Sequence, residues 1–276
     1  MPMNTVKSPS ASPRPAPDSS EGKVSMLSER ERERYKRQIL LFGEEGQERL
    51  KEAGIFIAGA GGLGSPVAIY LAVAGVGTLT VVDSDVVDQT NLNRQILHYD
   101  RDIGKKKAAS AGEKLREINP DITIRALDAH LDETNAERLV GRADGIVDAM
   151  DNYPARYLLN RIALEKGIPL FHGAIRGLYG QATTIIPGKT PCLSCIFPKP
   201  PPAEVSPVVG VTSGLIAMVQ ATEVLKFLLG TGNLLANRLF LWDGVQAQAS
   251  EICVERNPRC SVCGTGGDEG AGRKGE

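Results

Sequence analysis

The strongest constraint on the fold is the segment 53–82, which contains no charged residue. Its seven glycines and Pro66, together with a change of periodicity inside it, argue against a membrane-spanning helix. We predict instead a buried strand in GIFIAGAG, a helix in SPVAIYLAVAG that ends at Gly75, and a second strand in TLTVVDSD. The uncharged segment 205–222 contains Pro207 and two glycines and is interpreted in the same way, so no transmembrane segment is expected.

The same alternation of strands and helices continues along the chain. Ser28 and Glu31 have the spacing of a capping box and predict a helix that runs to Phe42. Further helices are predicted in GKKKAASAGEKLREINP, near 134–140 and 155–166, and in SGLIAMVQATEVLKFLLG; further strands are predicted in ITIRALDA, GIVDAM and IPLFHGA. Such alternation predicts a mostly parallel sheet with helices on both faces.

The later segments QATTIIPG, RLFLWDG and QASEICVE are typical of antiparallel strands. The expected fold is therefore α/β, with a Rossmann-like, mostly parallel sheet continued by antiparallel strands. We predict one domain over residues 28–264. Residues 1–27 are rich in Pro and Ser, and residues 265–276 in Gly and charge, so both are predicted to be disordered tails.

The charge balance and the cysteine content bear on the class of protein. Lys and Arg total 32 and Asp and Glu total 33, which argues against a general nucleic-acid-binding or membrane-surface protein. Five cysteines and the lack of a signal-peptide pattern predict a cytoplasmic location.

The turn after the first strand, GAGGLGS, has the glycine spacing of a dinucleotide-binding loop at Gly59, Gly61 and Gly64. Glycines let the backbone approach a phosphate, and the following helix points its N-terminal N–H groups at the anion. Asp83 ends the next strand, where a carboxylate can accept hydrogen bonds from ribose hydroxyls. We predict a nucleotide site here; the alternative is a tight turn without a ligand.

Three charged residues on other loops bear on which nucleotide binds. Arg94, Lys107 and Asp151 are expected at the C-terminal ends of parallel strands, where ligands bind in such sheets. Cations suit a triphosphate and a carboxylate suits Mg²⁺, whereas hydride transfer to NAD does not need this set. Each residue also has a simpler explanation: Lys107 in the solvated run 105–107, Arg94 paired with a surface acid, and Asp151 capping a helix.

Four of the five cysteines form two CxxC pairs, Cys192 with Cys195 and Cys260 with Cys263. Two such pairs supply the four thiolates of a closed tetrahedral zinc site. A redox pair would open a helix after a strand, whereas these pairs lie among Pro and Gly. We predict structural zinc that ties the C-terminus to the body. Cys253, in an alternating stretch, is predicted to be a buried strand residue.

Eight motifs in a fixed order carry a resemblance to a known family: RYKRQ (34–38), GAGGLGS (59–65), DSD (83–85), NLNRQ (91–95), IGKKK (103–107), DAMDN (148–152), GAIRGLYGQ (173–181) and PGKTPCLSC (187–195). Over about 28–264 the chain resembles the ThiF/MoeB/HesA family of ubiquitin-activating-like adenylyltransferases. In that family the C-terminal glycine carboxylate of a small ubiquitin-like sulfur carrier attacks ATP, which gives an acyl-adenylate and pyrophosphate.

The resemblance implies a role for each matching residue. It implies that Asp83 holds the ribose and that the glycine loop approaches the α-phosphate. Arg94 and Lys107 are expected to contact the phosphates, Asp151 to hold Mg²⁺, and Arg37 to reach the γ-phosphate from the other subunit of a homodimer. The expected cofactors are ATP, Mg²⁺ and Zn²⁺, and the remaining expected pocket residues are Gly59, Gly61, Gly62, Gly64, Asp85, Asn91, Gln95 and Asn152.

No general base is needed, because the attacking carboxylate is ionised at neutral pH. The three histidines, His98, His130 and His172, are accordingly predicted to have packing or surface roles.

The resemblance also implies a partner and a place where this chain departs from its relatives. The partner is a carrier of MoaD/ThiS type with a C-terminal Gly-Gly, in molybdopterin, thiamine or related sulfur-transfer biosynthesis. Many relatives have a reactive cysteine between the first CxxC and the GVT helix start, but PKPPPAEVSPVVGVTSG has none. We expect no thioester through this loop, with sulfur supplied by another protein, a sulfurtransferase or desulfurase.

Three alternatives are kept. An NAD-dependent oxidoreductase with a structural zinc would bind NAD(H) and would not need Arg37, Arg94 or Lys107. A non-catalytic relative would bind the carrier without activating it. The third alternative is a related enzyme that activates a small-molecule carboxylate.

Overall fold

The computed structural model describes residues 26–200 and 207–264. The helices are α1 Glu29–Glu52, α2 Gly64–Ala74, α3 Lys107–Ile118, α4 Ala136–Val140, α5 Tyr153–Lys166, α6 Leu193–Ile196 and α7 Gly210–Leu229. The strands are β1 Gly54–Ala58, β2 Thr78–Val82, β3 Thr123–Leu127, β4 Gly145–Asp148, β5 Leu170–Arg176, β6 Tyr179–Ile185, β7 Arg238–Asp243 and β8 Gln248–Cys253. Short 3₁₀ turns cover Gln89–Asn91 and Asp100–Asp102.

Two residues that the sequence assigns to the N-terminal tail pack against the domain. Leu27 is buried, and the Met26 N–H donates to Glu48 Oε1 at 2.8 Å. These two residues therefore belong to the body and not to the predicted tail 1–27. The rest of the predicted tails, 1–25 and 265–276, lie outside the described residues.

The strands form one sheet in the order β3-β2-β1-β4-β5-β6-β7-β8. Strands β3, β2, β1, β4 and β5 are parallel, and β6, β7 and β8 continue the sheet in antiparallel fashion. The fold class predicted from the sequence is confirmed. The strand order reverses between β1 and β4, and at such a switch point the strand ends leave a crevice for a ligand.

The central strand β1 explains why segment 53–82 carries no charge. Ile55 and Ile57 lie in one hydrophobic cluster, while Phe56 and Ala58 lie in the other. Both faces of the strand are buried because α2 and α7 contribute to the first cluster and α5 to the second. Helix α7 is long and apolar enough to cross a membrane by length and composition alone, but it packs against β5 and β6.

Helix α1 confirms the predicted N-terminus and extends beyond the predicted end. The Ser28 side chain accepts from the Glu31 N–H, and the Glu31 side chain accepts from the Ser28 N–H. Gly43 has φ 73 and ψ 172, which kinks the helix directly after Phe42. The sequence missed the second half, which ends at Glu52.

The predicted burial of Cys253 is wrong. Strand β8 pairs only with β7 at the edge of the sheet, and all six of its residues are exposed. Alternating residues indicated a strand correctly, but alternation does not show whether an edge strand is covered.

Candidate active site and metal centre

A cavity of about 1080 Å³ opens at the C-terminal ends of β1, β2 and β4. It lies at the switch point of the sheet, where α/β folds bind ligands. The predicted residues that line it are Gly59, Gly61, Gly62, Asp83, Asp85, Arg94, Gln95, Lys107, Asp151 and Asn152. Distant motifs of the sequence thus meet in one space.

Two positions of the glycine turn require glycine, one because of its backbone conformation and one because of a close approach. Gly59 has φ +100, a conformation that favours glycine. A Cβ on Gly64 would lie 1.8 Å from the Gly59 carbonyl oxygen. Gly64 is therefore required for packing at the start of α2 and, contrary to the prediction of a binding role, does not line the cavity.

Asp83 is held in place by two backbone N–H groups, one in the glycine turn and one in its own loop. Its Oδ2 accepts from the Ala60 N–H at 2.8 Å, and its Oδ1 accepts from the Asp85 N–H at 2.9 Å. The carboxylate is thereby fixed at the end of β2 beside the glycine turn. This position suits the predicted contact with ribose hydroxyls.

Lys107 separates from its neighbours in the lysine run. Its Nζ donates to Asp85 Oδ2 at 2.8 Å, and the side chain is buried in the cavity wall. Lys106 lies outside the cavity and pairs with Asp128 at 3.2 Å. The solvated-run explanation therefore holds for Lys106 but not for Lys107.

The NLNRQ segment presents Arg94 and Gln95 to the cavity. Arg94 donates to Thr90 O at 2.9 Å and to Asn93 Oδ1 at 3.0 Å. Gln95 Oε1 is buried with no hydrogen-bond partner among the described residues, which leaves it available to a ligand.

The sequence predicts Asn91 in the cavity lining, but the residue lies outside that lining. Its side-chain oxygen accepts from the Asp88 N–H, and its carbonyl accepts from the N–H groups of Arg94 and Gln95. Asn91 thus shapes the turn that carries the two lining residues, because its side-chain oxygen and its carbonyl oxygen both accept bonds within that turn.

Asp151 and Asn152, in the loop after β4, make different contacts. The Asn152 side chain caps α5 by accepting from the Ala155 N–H at 3.0 Å. The alternative that Asp151 caps this helix is therefore wrong. Asp151 is exposed at the cavity and, within the part of the chain that the structure describes, accepts only a 3.3 Å bond from Asn152 Nδ2, so its carboxylate is available to a cation.

Sequence reasoning missed Arg156, one turn into α5. Its guanidinium donates to Met150 O through Nε at 3.1 Å and Nη2 at 2.8 Å, and it lies 5.1 Å from the centre of the Tyr153 ring. The signal available was an arginine one turn after the Asn152 cap. Arg156 braces the loop that carries Asp151.

The antiparallel strands supply the far end of the cavity, which the sequence did not assign. This end contains aromatic, amide and charged side chains: Arg176, Tyr179, Gln181, Trp242 and Asp243. Strand β6 pairs with β7, with Tyr179 opposite Asp243, and this register brings residues 64 positions apart to one wall. The GAIRGLYGQ motif was the only sequence signal for this region.

The histidines occupy positions that agree with the predicted packing and surface roles. His98 and His172 are buried, and His130 is exposed at the cavity. His172 Nδ1 lies 2.7 Å from the buried Asp148 Oδ2, below the loop that carries Asp151.

Arg37 does not line the cavity of its own chain. It is exposed on α1 and makes no hydrogen bond or ion pair to another described residue. Its motif neighbours anchor the helix, since Tyr35 Oη accepts from Asn119 Nδ2 at 2.8 Å and Gln38 Nε2 donates to Ala74 O at 3.0 Å.

The four paired cysteines meet in one cluster. Their Sγ atoms all lie within 4.8 Å of one another, including 3.7 Å between Cys192 and Cys260 and 3.4 Å between Cys195 and Cys263. These separations exceed a disulfide bond, and four thiol ligands at this spacing fit a tetrahedral zinc ion. The backbone between the first pair is held by Asn160 Oδ1, which accepts from the Leu193 N–H at 2.9 Å.

The fold and the site together define the class. The ThiF family profile matches residues 35–262, and the chain belongs to the ThiF family.

Two relatives match over nearly their whole length. The chain is 44% identical over 243 residues to the SAMP-activating enzyme E1 of Haloferax volcanii, covering 85% of this chain and 90% of that protein. It is 43% identical over 247 residues to the sulfur carrier protein adenylyltransferase of Thermus thermophilus, covering 85% and 91%. A third, the adenylyltransferase and sulfurtransferase MOCS3-1 of Zea mays, is 40% identical over 240 residues, but the match covers only 51% of that protein.

Solved structures agree with the fold. A crystal structure of E. coli MccB superposes with a TM-score of 0.77 at 23% identity, covering 87% of this chain and 76% of that chain. The crystal structure of PaaA gives a TM-score of 0.72 at 27% identity, covering 87% and 78%.

Proposed function

We propose that this protein uses ATP to adenylate the C-terminal glycine carboxylate of a small ubiquitin-like sulfur carrier protein, with release of pyrophosphate. One observation carries the proposal. The same cavity contains the glycine turn at a helix N-terminus, the cations Arg94 and Lys107, and the exposed carboxylate of Asp151. Two relatives more than 40% identical to this chain are named as a SAMP-activating enzyme and a sulfur carrier protein adenylyltransferase.

The chemistry matches the charges in the cavity. Adenylation builds negative charge around the α-phosphorus and on the departing pyrophosphate, so fixed cations and backbone dipoles stabilise the transition state. Arg94 and Lys107 supply the cations, and Asp151 would hold Mg²⁺, which neutralises phosphate charge when bound. No histidine acts as a base in this scheme.

The far end of the cavity suits the carrier's C-terminal tail. Tyr179, Gln181 and Trp242 line it, and the Gly177 N–H donates to Pro207 O at 2.6 Å beside it. A narrow Gly-Gly tail entering from this side would bring its carboxylate toward the glycine turn. The pathway is proposed to be molybdopterin, thiamine or related sulfur-transfer biosynthesis, with sulfur supplied by a separate sulfurtransferase or desulfurase.

An NAD-dependent oxidoreductase with a structural zinc fits this site less well. Near the glycine turn, the cavity lining includes the cations Arg94 and Lys107 and the exposed carboxylate of Asp151. Hydride transfer does not require this set of charges. The direct discriminator is ligand binding, since the oxidoreductase alternative expects NAD(H) to bind in preference to ATP with Mg²⁺.

We propose that activation stops at the adenylate, without a thioester in the segment between Cys195 and the start of α7. The sequence from Phe197 to Gly214 contains no cysteine. Incubation with ATP and carrier should give no thiol-sensitive adduct in the mass spectrum of the enzyme. Detection of such an adduct on any of the five cysteines would refute this part of the proposal.

We propose that the enzyme works as a homodimer in which Arg37 completes the partner's site. Arg37 is exposed and has no partner among the described residues, and the neighbouring Leu40 and Leu41 are 79% and 84% exposed, which suits a surface that is covered by a second copy. Mixing inactive Arg37→Ala and Asp151→Ala proteins should restore activity through hybrid dimers that contain one intact site. Failure to restore activity in confirmed mixed dimers would contradict a shared site.

We propose a cytoplasmic location. All five cysteines are free thiols, and four of them lie where they could bind a metal ion, which suits a reducing compartment.

The test of the proposed function is ATP/pyrophosphate exchange with purified carriers that end in Gly-Gly. The expected result is exchange that requires both Mg²⁺ and a carrier with an intact terminal glycine; a carrier that lacks the last glycine is the control. Tight carrier binding without exchange would identify the non-catalytic alternative. Exchange that is supported by small carboxylates and not by carriers would identify the third alternative.

A further inference from the structure

A chain of buried polar side chains runs behind the glycine turn, outside the cavity lining. His98 Nε2 lies 3.0 Å from Ala60 O, and His98 Nδ1 lies 2.9 Å from Ser110 Oγ. Lys114 Nζ donates to Ser110 Oγ at 2.8 Å and to Asp102 Oδ2 at 2.5 Å. The exposed fractions are 4% for His98, 0% for Ser110, 5% for Lys114 and 1% for Asp102. We call these four side chains the buried relay.

The donors and acceptors around His98 determine which ring nitrogen carries its hydrogen. A carbonyl oxygen only accepts, so Nε2 must carry the hydrogen that bonds to Ala60 O. The ammonium of Lys114 only donates, so it uses a lone pair of Ser110 Oγ and leaves the hydroxyl hydrogen for His98 Nδ1. Burial lowers the pKa of His98, which agrees with a neutral ring. The Ala60 carbonyl therefore requires a hydrogen on Nε2, and the lowered pKa favours the neutral ring, so we infer the neutral Nε2–H tautomer.

Ala60 is the point at which the relay meets the candidate active site. Its N–H donates to Asp83 Oδ2 at 2.8 Å, and its carbonyl accepts from Ser65 Oγ at 3.0 Å as well as from His98. Ser65 and His98 are both buried, so the Ala60 carbonyl points into the protein. A carbonyl that turned toward the cavity would place its negative end against a phosphate and repel it.

The relay also connects the glycine turn to Lys107. Lys107, Ser110 and Lys114 lie at positions i, i+3 and i+7 of α3 and therefore share one face of the helix. The first of them reaches the cavity, and the other two belong to the buried relay. The buried relay is thus connected to both the glycine turn and the helix that carries Lys107.

We propose that His98 is a positioning residue for the nucleotide site: as the neutral Nε2–H tautomer it holds the Ala60 carbonyl away from the phosphates and fixes the glycine turn relative to Lys107. This inference rests on the proposed nucleotide function. It assigns to His98 a role beyond the packing that the sequence predicts.

A first test reads the tautomer directly and needs no altered enzyme for its main result. The chain contains three histidines, and ¹⁵N-histidine NMR at neutral pH resolves their tautomers. His98 should carry its hydrogen on Nε2, whereas His172 should carry it on Nδ1, because that atom faces the Asp148 carboxylate at 2.7 Å. The His98→Gln variant assigns the signals. A charged or Nδ1–H form of His98 would overturn the proposal.

A second test compares two amide substitutions. The amide nitrogen of glutamine in His98→Gln reaches the position of Nε2, whereas that of asparagine in His98→Asn reaches only that of Nδ1. We expect His98→Asn to weaken ATP binding in calorimetry about tenfold, equivalent to about 1.4 kcal/mol, and His98→Gln to stay within about threefold of the unaltered protein. Thermal unfolding of each variant is measured in parallel.

The outcomes separate the possible failures. Equal ATP affinity of both variants and the unaltered protein, or equal weakening in both in step with lost stability, would overturn the role of His98. No ATP binding by the unaltered protein would instead refute the proposed function, and with it the nucleotide part of this proposal, whatever the tautomer.

Discussion

Lys107 Nζ lies 2.8 Å from Asp85 Oδ2, and the two side chains differ in exposure, 7% for the lysine and 68% for the aspartate. The ammonium is thus held in the cavity wall while its partner remains largely in water. Breaking this ion pair costs little free energy, because the Asp85 carboxylate stays solvated. The Lys107 ammonium can therefore bind a phosphate in its place.

We therefore expect Lys107→Met to lower ATP/pyrophosphate exchange by roughly 10² to 10³, the cost of losing one transition-state cation. Its thermal unfolding should change little, because Asp85 stays solvated. Lys106→Met is the matched control, since Lys106 lies outside the cavity in the same run and pairs with Asp128. Equal losses in the two variants would remove Lys107 from the site.

Asp151→Asn should abolish most exchange, by about 10² or more, and raise the Mg²⁺ concentration needed for the remainder. The fold should be unaffected, because Asn152 caps α5 and Asp151 does not. Exchange measured across a Mg²⁺ titration, with circular dichroism for the fold, checks both parts. The control is Glu165→Gln, which changes an exposed acid on α5 and should behave as the unaltered protein. An unchanged Mg²⁺ requirement in Asp151→Asn would contradict the assignment.

Asp102 should contribute stability that depends on pH. Burial by itself raises its pKa, but the Lys114 ammonium and the Tyr99 N–H hold the pKa well below the usual range. The contribution is therefore complete above the unfolded-state pKa of about 3.9 and is lost as the pH falls below it. We expect Asp102→Asn to lower the free energy of unfolding by about 2 to 4 kcal/mol at pH 7 and by less at pH 3.5.

Urea unfolding at both pH values measures this difference. Asp100→Asn is the control, because Asp100 is an exposed acid in the same 3₁₀ turn. A deficit in Asp102→Asn that is as large at pH 3.5 as at pH 7 would show that the ion pair is not its source.

Cys260→Ser should lose the bound zinc and lower the temperature of unfolding by about 10 °C or more, because a structural zinc site contributes on the order of 10 kcal/mol of apparent binding energy. Metal analysis and calorimetry measure the two effects. Cys253→Ser is the matched control, since this thiol is exposed on β8 and outside the cluster. Full zinc content in Cys260→Ser would argue against four-thiolate binding.

Residues that follow predicted strands were the ones that the sequence located well. Gly59, Asp83 and Asp151 come directly after or soon after β1, β2 and β4, and parallel strands end at the same edge of the sheet, so their meeting in one cavity follows from the pattern. The cysteine cluster followed from its spacing alone.

The remainder of the site depended on contacts that a linear pattern does not contain. Gly64 matches the binding motif, yet its role is decided by a close approach to the Gly59 carbonyl. Trp242 reaches the cavity only through the register of β6 with β7, where it lies opposite Gly180. The relay behind Ala60 joins residues whose individual types, a histidine, a serine, a lysine and an aspartate, carry no motif.

Helix α5 has a consequence for experiments with chelators. Its first residues border Asp151, and further along the same helix Tyr157 Oη donates to Phe197 O at 2.6 Å and Asn160 accepts from the backbone beside Cys192. We expect that stripping zinc would release these contacts and loosen the helix next to the loop that we propose to bind Mg²⁺. An EDTA titration of activity would therefore respond to two metals at once, and adding back Mg²⁺ alone should leave the enzyme partly inactive.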